Sequence, residues 1–475
     1  MNSNFKYVKT LQDYTYYINY LKDYDSLGLD TETFVPLELK HLGHTALDCH
    51  VAKISLLQII GHKPTPTEQE KPYRVYVNEL SDVIIFDLLE LNKLNYDKSL
   101  IIDLLTGADF IVGVNIQFDL KFLYNEYGLF FDNSVCLRAM SLLIGNATGS
   151  KFNKVIGNSF KSLCRDYLNI HLEDKGAGSA QTTDWYTRPT NEIETQYFNR
   201  KLEYAAKDVL YLFPLWVKLY NTICLPLLGS PLIDSDVTED ECGLGMYQVY
   251  LLEMRVISVM AEMEYNGLYI NKPLLQEIED ANRKRLTEVT IALANYLGVL
   301  LPINRFTSEP EVTEEIISIL NSPKKLINII NKLLQANVNN TTSLLLKRTS
   351  SVIDRLYHHY ENNKDAENTE EENTFNEELF VDETEADFYK DIINRDDLKE
   401  VKYILSLILE YKQISKQLSS SFIDKINPHT NCIHSNFNSL MASTGRTSSS
   451  KINLQSVNGK DFVIVTKEID TLFDG

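Results

Sequence analysis

The chain has 475 residues, 44% hydrophobic and 10% aromatic, enough for two or three domains with buried cores. Its formal charge of −20 weighs against a nucleic-acid partner, but residues 361–400 hold 16 Asp or Glu against 4 Lys or Arg, so one segment carries −12 of that total. No run approaches the 18 apolar residues of a membrane span, the N-terminus MNSNFKYVKTLQDYTYY has no leader pattern, and six scattered cysteines without a C-x-x-C pair favour reduced thiols over a disulfide framework; a cytoplasmic protein that meets no membrane is expected.

In chain order, Ser26–Asp30, AKISLLQII, YRVYVN and VIIFDLL read as strands, being apolar and β-branched. LIIDLL before FIVGVN continues an alternation of helix and strand, which predicts an α/β domain over residues 1–235. Residues 34–50 and 61–72 read as loops. From 236 onward helical spacing takes over, at 246–263, at 273–298 and in LKEVKYILSLILEYKQISKQL. Asn321, Ser322 and Pro323 read as a helix start before KKLINIINKLL. A mainly helical second domain is therefore expected over 236–475. The acidic stretch at about 360–392 is poor in core formers and reads as a mobile insert. No repeat of solenoid length is present.

Four acids sit in apolar settings: Asp30 and Glu32 in LGLDTETF, Asp119 in IVGVNIQFDLKFL, and Asp208 in YAAKDVLYLFPLW. Brought together, they could not all stay ionised without a counter-charge. Oxygen ligands of this kind suit magnesium or manganese, and two-metal sites commonly act on phosphate esters. Asp30 and Glu32 are two apart at an apparent strand end, so they share a face. Asp119 stands near a helix start, where a carboxylate is favoured anyway, and a helix-capping role is equally open. Tyr204 and Asp208 are four apart on a predicted helix and share a face. Each pair alone is weak, since 66 acids give many chance matches; order and context give them weight. His41, His44, Cys49 and His50 fit no zinc spacing, and a polar loop is expected there.

Taken in order, these segments resemble 3′–5′ exonucleases of the DEDD class, in the tyrosine subgroup of ribonuclease D and the proofreading domains of family A DNA polymerases. The resemblance covers about residues 20–220 and includes QTTDW (Gln181–Trp185). It implies a ribonuclease H-like α/β fold, a mixed sheet flanked by helices. It also implies two divalent cations, Mg2+ (or Mn2+), held by Asp30, Glu32, Asp119 and Asp208, with Tyr204 orienting the attacking water. An unperturbed tyrosine, with a pKa near 10, suits positioning better than free-base work. Asn115 and Phe118 flank the second motif and are candidate contacts to a terminal nucleotide, Phe118 by stacking; strand-end hydrogen bonding and core packing are the alternatives. Where relatives often carry an acid in a V-x-D-T-type segment, this chain has SVCLRAM with Cys136, a position on which the family's catalysis does not depend.

The second half is similar to the polymerase portion of family A enzymes. MEYNGLYIN (Met263–Asn271), LNSPKKL (Leu320–Leu326), LEYKQISKQLSSSFIDKI, HSNFN (His434–Asn438) and TGRTSSSKINLQS (Thr444–Ser456) follow the family's order from its opening through a helical thumb into the start of a palm. In the last of these, Arg446 supplies planar charged donors, Ser448 a compact hydroxyl, and Asn453 and Gln455 groups that can bond sugar or minor-groove edges; a flexible Ser-rich loop is the alternative. No D-Y-S-x-I-E-like motif is present, and Asp470 and Asp474 lack its context, so polymerisation is not expected from this chain alone. The expected function is a metal-dependent, proofreading 3′–5′ exonuclease portion of a split or truncated family A DNA polymerase, in replication or repair. Its partners would be DNA, as a single-stranded 3′ end and a primer–template duplex, and a separate palm-and-fingers chain. A non-catalytic DNA- or polymerase-binding subunit and a ribonuclease D-like RNA exonuclease are the alternatives.

Overall fold

A computed structural model of the chain describes residues 5–41, 45–64, 75–147, 159–172, 185–224, 239–334, 351, 397–419, 421–442 and 445–456. The acidic stretch at 360–392, Gln181–Asp184, His44, Thr444, Asp470 and Asp474 lie outside these. No helix among the described residues is long and apolar enough to cross a membrane.

The chain divides into two compact units, residues 1–269 with 427–456, and residues 270–426 with 457–475. In the first, the strands are β1 (Phe5–Val8), β2 (Ser26–Phe34), β3 (Lys53–Pro64), β4 (Val77–Leu80), β5 (Val83–Asp87), β6 (Ile111–Gly113) and β7 (Ser134–Cys136). They form one mixed sheet in the order β1-β5-β3-β2-β6-β7, with β4 paired to β3. β3 runs antiparallel to β2 and β5, while β1 and β5, β2 and β6, and β6 and β7 pair in parallel. The helices are α1 (Leu11–Leu21), α2 (Leu37–Lys40), α3 (Leu88–Lys93), α4 (Lys98–Gly107), α5 (Gln117–Tyr127), α6 (Leu137–Ala147), α7 (Phe160–Leu168), α8 (Glu192–Leu210), α9 (Leu212–Cys224) and α10 (Glu239–Asn266). Parallel pairs need crossovers, and the helices that supply them cover the sheet.

α10 packs with this sheet: Tyr250, Met254, Ile257 and Ala261 belong to the same buried core as Leu29, Ile59 and Phe86. Two short ladders lie in the same unit. β8 (Leu268–Tyr269) pairs with β9 (Cys432–Ile433), and β10 (Asn436–Asn438) with β11 (Ser448–Ser450). Gly267, before β8, explains its own identity: its φ is +65°, and a Cβ would stand 2.7 Å from His434 Nδ1. The second unit has its own core, built by α11 (Lys272–Tyr296), α12 (Glu314–Asn321), α13 (Pro323–Leu334) and α14 (Leu398–Ser419). Pro323 opens α13, where a missing N–H costs nothing.

Three local expectations change. β3 runs on to Pro64 rather than ending before 61, because β4 gives it a partner, His62 against Leu80. Residues 34–50 contain the one-turn α2. The D-x-E pair is not at a strand end: β2 continues to Phe34 through a register shift at Glu32 and Thr33. Such a bulge re-aims side chains beside it.

Candidate active site

Asp30 and Glu32 leave one face of β2, where Asp30 stands opposite Gln58 and Glu32 opposite Leu56 of β3. Two residues earlier, Gly28 has no side chain to hold α9 away: a Cβ there would lie 2.9 Å from Ile60 Cγ2 and 3.0 Å from Leu212 Cδ1. α8 buries Leu202, Ala205, Ala206 and Val209 and carries Tyr204 and Asp208 one turn apart. Asp30, Glu32 and Asp208 each offer one oxygen, and these oxygens lie within 4.8 Å of one another. Glu32 is buried, and the two aspartates are partly exposed.

Asp119, in the first turn of α5, does not join that set of three. It is 2% exposed, and its Oδ1 accepts the Thr31 hydroxyl at 2.6 Å. Burial pushes its carboxyl up to about 7, against hydrogen bonds from Thr31. Tyr204 is raised well above the usual phenol range by burial, then by the charges of Asp208 and Glu32. It therefore keeps its proton and can act as a donor.

Two further residues were not legible in the sequence. Gln58 is fully buried, and among the described residues neither of its amide atoms finds a hydrogen-bond partner; its only signal was a polar residue inside LLQII. Lys201 is 6% exposed, with its ammonium 4.5 Å from the ring centre of Trp185.

The candidate nucleic-acid contacts fall in two places. Asn115 is exposed in the left-handed region (φ 59°), and its Oδ1 accepts from Arg138 Nη1 at 2.9 Å. Phe118 is half-buried, with its ring centre 4.8 Å from that of Phe122. Arg446, Asn453 and Gln455 are exposed, and Ser448 lies on β11 opposite Asn438. Asn453 Oδ1 accepts from Ser449 Oγ at 2.8 Å. Of the histidine and cysteine group after the first motif, Cys49 is buried and His50 bonds the Tyr265 carbonyl at 2.8 Å, with its ring centre 4.2 Å from that of His434 at a tilt of 42°.

Comparison with known proteins agrees with this order. The 3′–5′ exonuclease family matches residues 85–223, and the DNA polymerase family A matches residues 375–469. The exonuclease match begins after the D-x-E strand, so the convergence of Asp30 and Glu32 with Asp208 is a separate observation. The chain is 25% identical over 240 residues to DNA polymerase I of Aquifex aeolicus (strain VF5), covering 48% of this chain and 36% of the relative. The chain thus spans just over a third of that relative's length. Among solved structures, the POL domain of Pol1 from M. smegmatis, in complex with DNA primer-template and dNTP, is similar with a TM-score of 0.50 and 13% identity, over 96% of this chain and 57% of that one. Brucella melitensis NrnC bound to pGG is similar with a TM-score of 0.33 and 16% identity, over 55% of this chain and 90% of that one. Matched in this order along one polypeptide, the two families support an exonuclease region followed by a polymerase region of a family A DNA polymerase.

Proposed function

We propose that the first unit removes nucleotides from the 3′ end of a DNA primer by metal-dependent phosphodiester hydrolysis, as the proofreading activity of a family A polymerase. The observation that carries this is the convergence of Asp30, Glu32 and Asp208 oxygens within 4.8 Å of one another. The gathered donors are carboxylate oxygens, the set that hard divalent cations take, so the residues fit Mg2+ or Mn2+. Asp30, Glu32 and Asp208 would hold the ions, and Asp119 would complete the set. Bound there, two cations offset the charge of a phosphodiester and make water a better nucleophile.

The chain's own residues supply the rest. Tyr204 keeps its proton, so it orients the attacking water by a hydrogen bond rather than accepting a proton from it. Thr31 fixes the Asp119 carboxyl. Asn115, two residues before the helix that carries Asp119, and Phe118, in the first turn of that helix, would meet the terminal nucleotide, Phe118 by stacking. Arg446, Ser448, Asn453 and Gln455 would hold the duplex behind it through backbone and groove-edge contacts. The polymerase family match at 375–469 favours DNA over RNA as the substrate.

The test is a 5′-labelled primer–template with Mg2+, beside an RNA of the same sequence. Stepwise shortening of the DNA from its 3′ end, lost with EDTA and with Asp30→Ala, is expected. An RNA preference would reverse the substrate assignment, and shortening that survives Asp30→Ala would remove the carboxylate centre from the reaction.

A further inference from the structure

Helix α5 has two working faces. Asp119 points one way, to Thr31. Gln117 and Lys121 stand two residues to either side of it, four apart from each other, and so share the other face. Both end on Glu264 of α10, a residue 5% exposed. Lys121 Nζ reaches Glu264 Oε2 at 2.6 Å, and Gln117 Nε2 reaches Oε1 at 2.7 Å. The same Oε1 accepts the backbone N–H of Phe437, whose carbonyl accepts from Gln117 Nε2 at 3.1 Å. Phe437 lies on β10, in register with Ser449 of β11. One buried carboxylate therefore joins three segments far apart in sequence: the helix of Asp119, the M-E-Y-N-G segment and the hairpin that carries T-G-R.

This is more than a packing contact requires. A buried carboxylate needs donors, but two side chains that bracket Asp119 are an unneeded choice when backbone N–H groups would serve. The hairpin side is also held apart from Glu264, by Asn146 Nδ2 on the Leu440 carbonyl at 2.9 Å. Losing the carboxylate thus removes the bonds that Gln117 and Lys121 of α5 make to it, while the hairpin stays tethered.

We propose that Glu264 is a positioning residue of the exonuclease centre: it fixes α5, and so the Asp119 carboxylate, against the β10–β11 hairpin. The proposal rests on the reading of the four acids as a metal centre. Partners hydrogen-bonded to metal ligands commonly change affinity by about 10- to 100-fold when removed, and Glu264, which acts one step further back through α5, is expected at the lower end of that range.

The experiment uses the full chain. Mn2+ alone is titrated into wild-type, Glu264→Gln and Lys121→Met proteins by calorimetry, and kcat and KM are measured on a single-stranded oligonucleotide. Glu264→Gln is expected to weaken Mn2+ about tenfold and lower kcat by a similar factor, with KM unchanged and the circular dichroism native. Lys121→Met is expected to follow in the same direction. A lower unfolding temperature with wild-type Mn2+ affinity and kcat would overturn the proposal, because a merely structural carboxylate behaves so. Should Glu264→Gln fail to fold, Lys121→Met and Gln117→Ala, each removing one donor, decide by the same readouts. Wild-type protein that binds Mn2+ but shortens no DNA would sink the exonuclease reading and leave the Mn2+ titrations to decide this one; wild-type protein that binds no Mn2+ overturns both.

Discussion

Thr31, the residue between the two acids of the D-x-E strand, donates its hydroxyl to Asp119 Oδ1 at 2.6 Å. Alternation sends Thr31 to the face of β2 opposite Asp30 and Glu32. One short strand thus supplies two acids to the gathered set and, from its other side, a hydrogen bond to Asp119 at the start of α5.

Removing that hydroxyl leaves a buried carboxyl short of a donor, which typically costs about 1–3 kcal/mol. Thr31→Val is expected to lower stability to urea by that amount and to reduce exonuclease turnover about tenfold, whereas Thr31→Ser, which keeps the donor, should retain most of both. Equal loss in the Ser and Val variants would show that the methyl group, not the hydrogen bond, is what matters.

The three gathered carboxylates predict an opposite sign for stability and activity. Without a cation, like charges within 4.8 Å of one another destabilise the fold. Asp208→Asn should therefore raise the unfolding temperature in EDTA while abolishing nucleotide release. It should also lose most of the stabilisation that Mg2+ gives the wild type, since a ligand stabilises only the state that binds it. Thermal scans of both proteins, with EDTA and with Mg2+, check this. A lower unfolding temperature for Asp208→Asn in EDTA would mean that its hydrogen bonds outweigh the repulsion.

Residues whose signal is local were legible in the sequence. Tyr204 and Asp208 share a helix face because they are four apart, and α8 does run from Glu192 to Leu210. Asp119 falls in the first turn of α5 as its position after a strand implied. What pairs distant segments was not legible. No pattern near Glu264 announces Lys121 or Phe437, and nothing in HSNFN says that residues 427–456 pack into the unit that holds the sheet. Strand order is equally silent: β3 separates β5 from β2 although β4 and β5 follow it in sequence. Gln58 looked like one polar residue in an apolar strand, and only the register places it opposite Asp30.

Arg188 anchors the segment that leads into α8. Its guanidinium grips Asp87 with Nε and Nη2, each at 2.7 Å, and also meets Ser55 Oγ at 2.8 Å and the Trp185 carbonyl at 2.7 Å. Asp87 is fully buried and also accepts from the Tyr7 hydroxyl. Breaking such a pair from one side strands a buried charge, at about 3–5 kcal/mol. Arg188→Met is expected to show that loss in chemical denaturation. The double variant Arg188→Met with Asp87→Asn should recover part of it, because the stranded charge is gone. Additive losses in the double variant would contradict coupling between the two residues.

His50 gives a pH dependence whose sign is fixed by its neighbours. Burial opposes its protonation, but bonds to Asp48 and Cys49 and the Tyr265 carbonyl prevail and raise it to about 10. The His434 ring packed against it is lowered by burial and by the charge of His50, so the pair is one cation and one neutral ring. A folded value above the unfolded one of about 6.5 means that protonated His50 contributes stability fully below that pH. The contribution is then lost as pH rises through about 10. Between these limits the wild type should lose stability with rising pH more steeply than His50→Gln. Urea midpoints at pH 6, 7.5 and 9 for both proteins measure it, and subtracting the two curves removes the groups that titrate alike in both. A difference that stays constant across that range would show that His50 is neutral in the fold; a difference that grows with pH would reverse its sign.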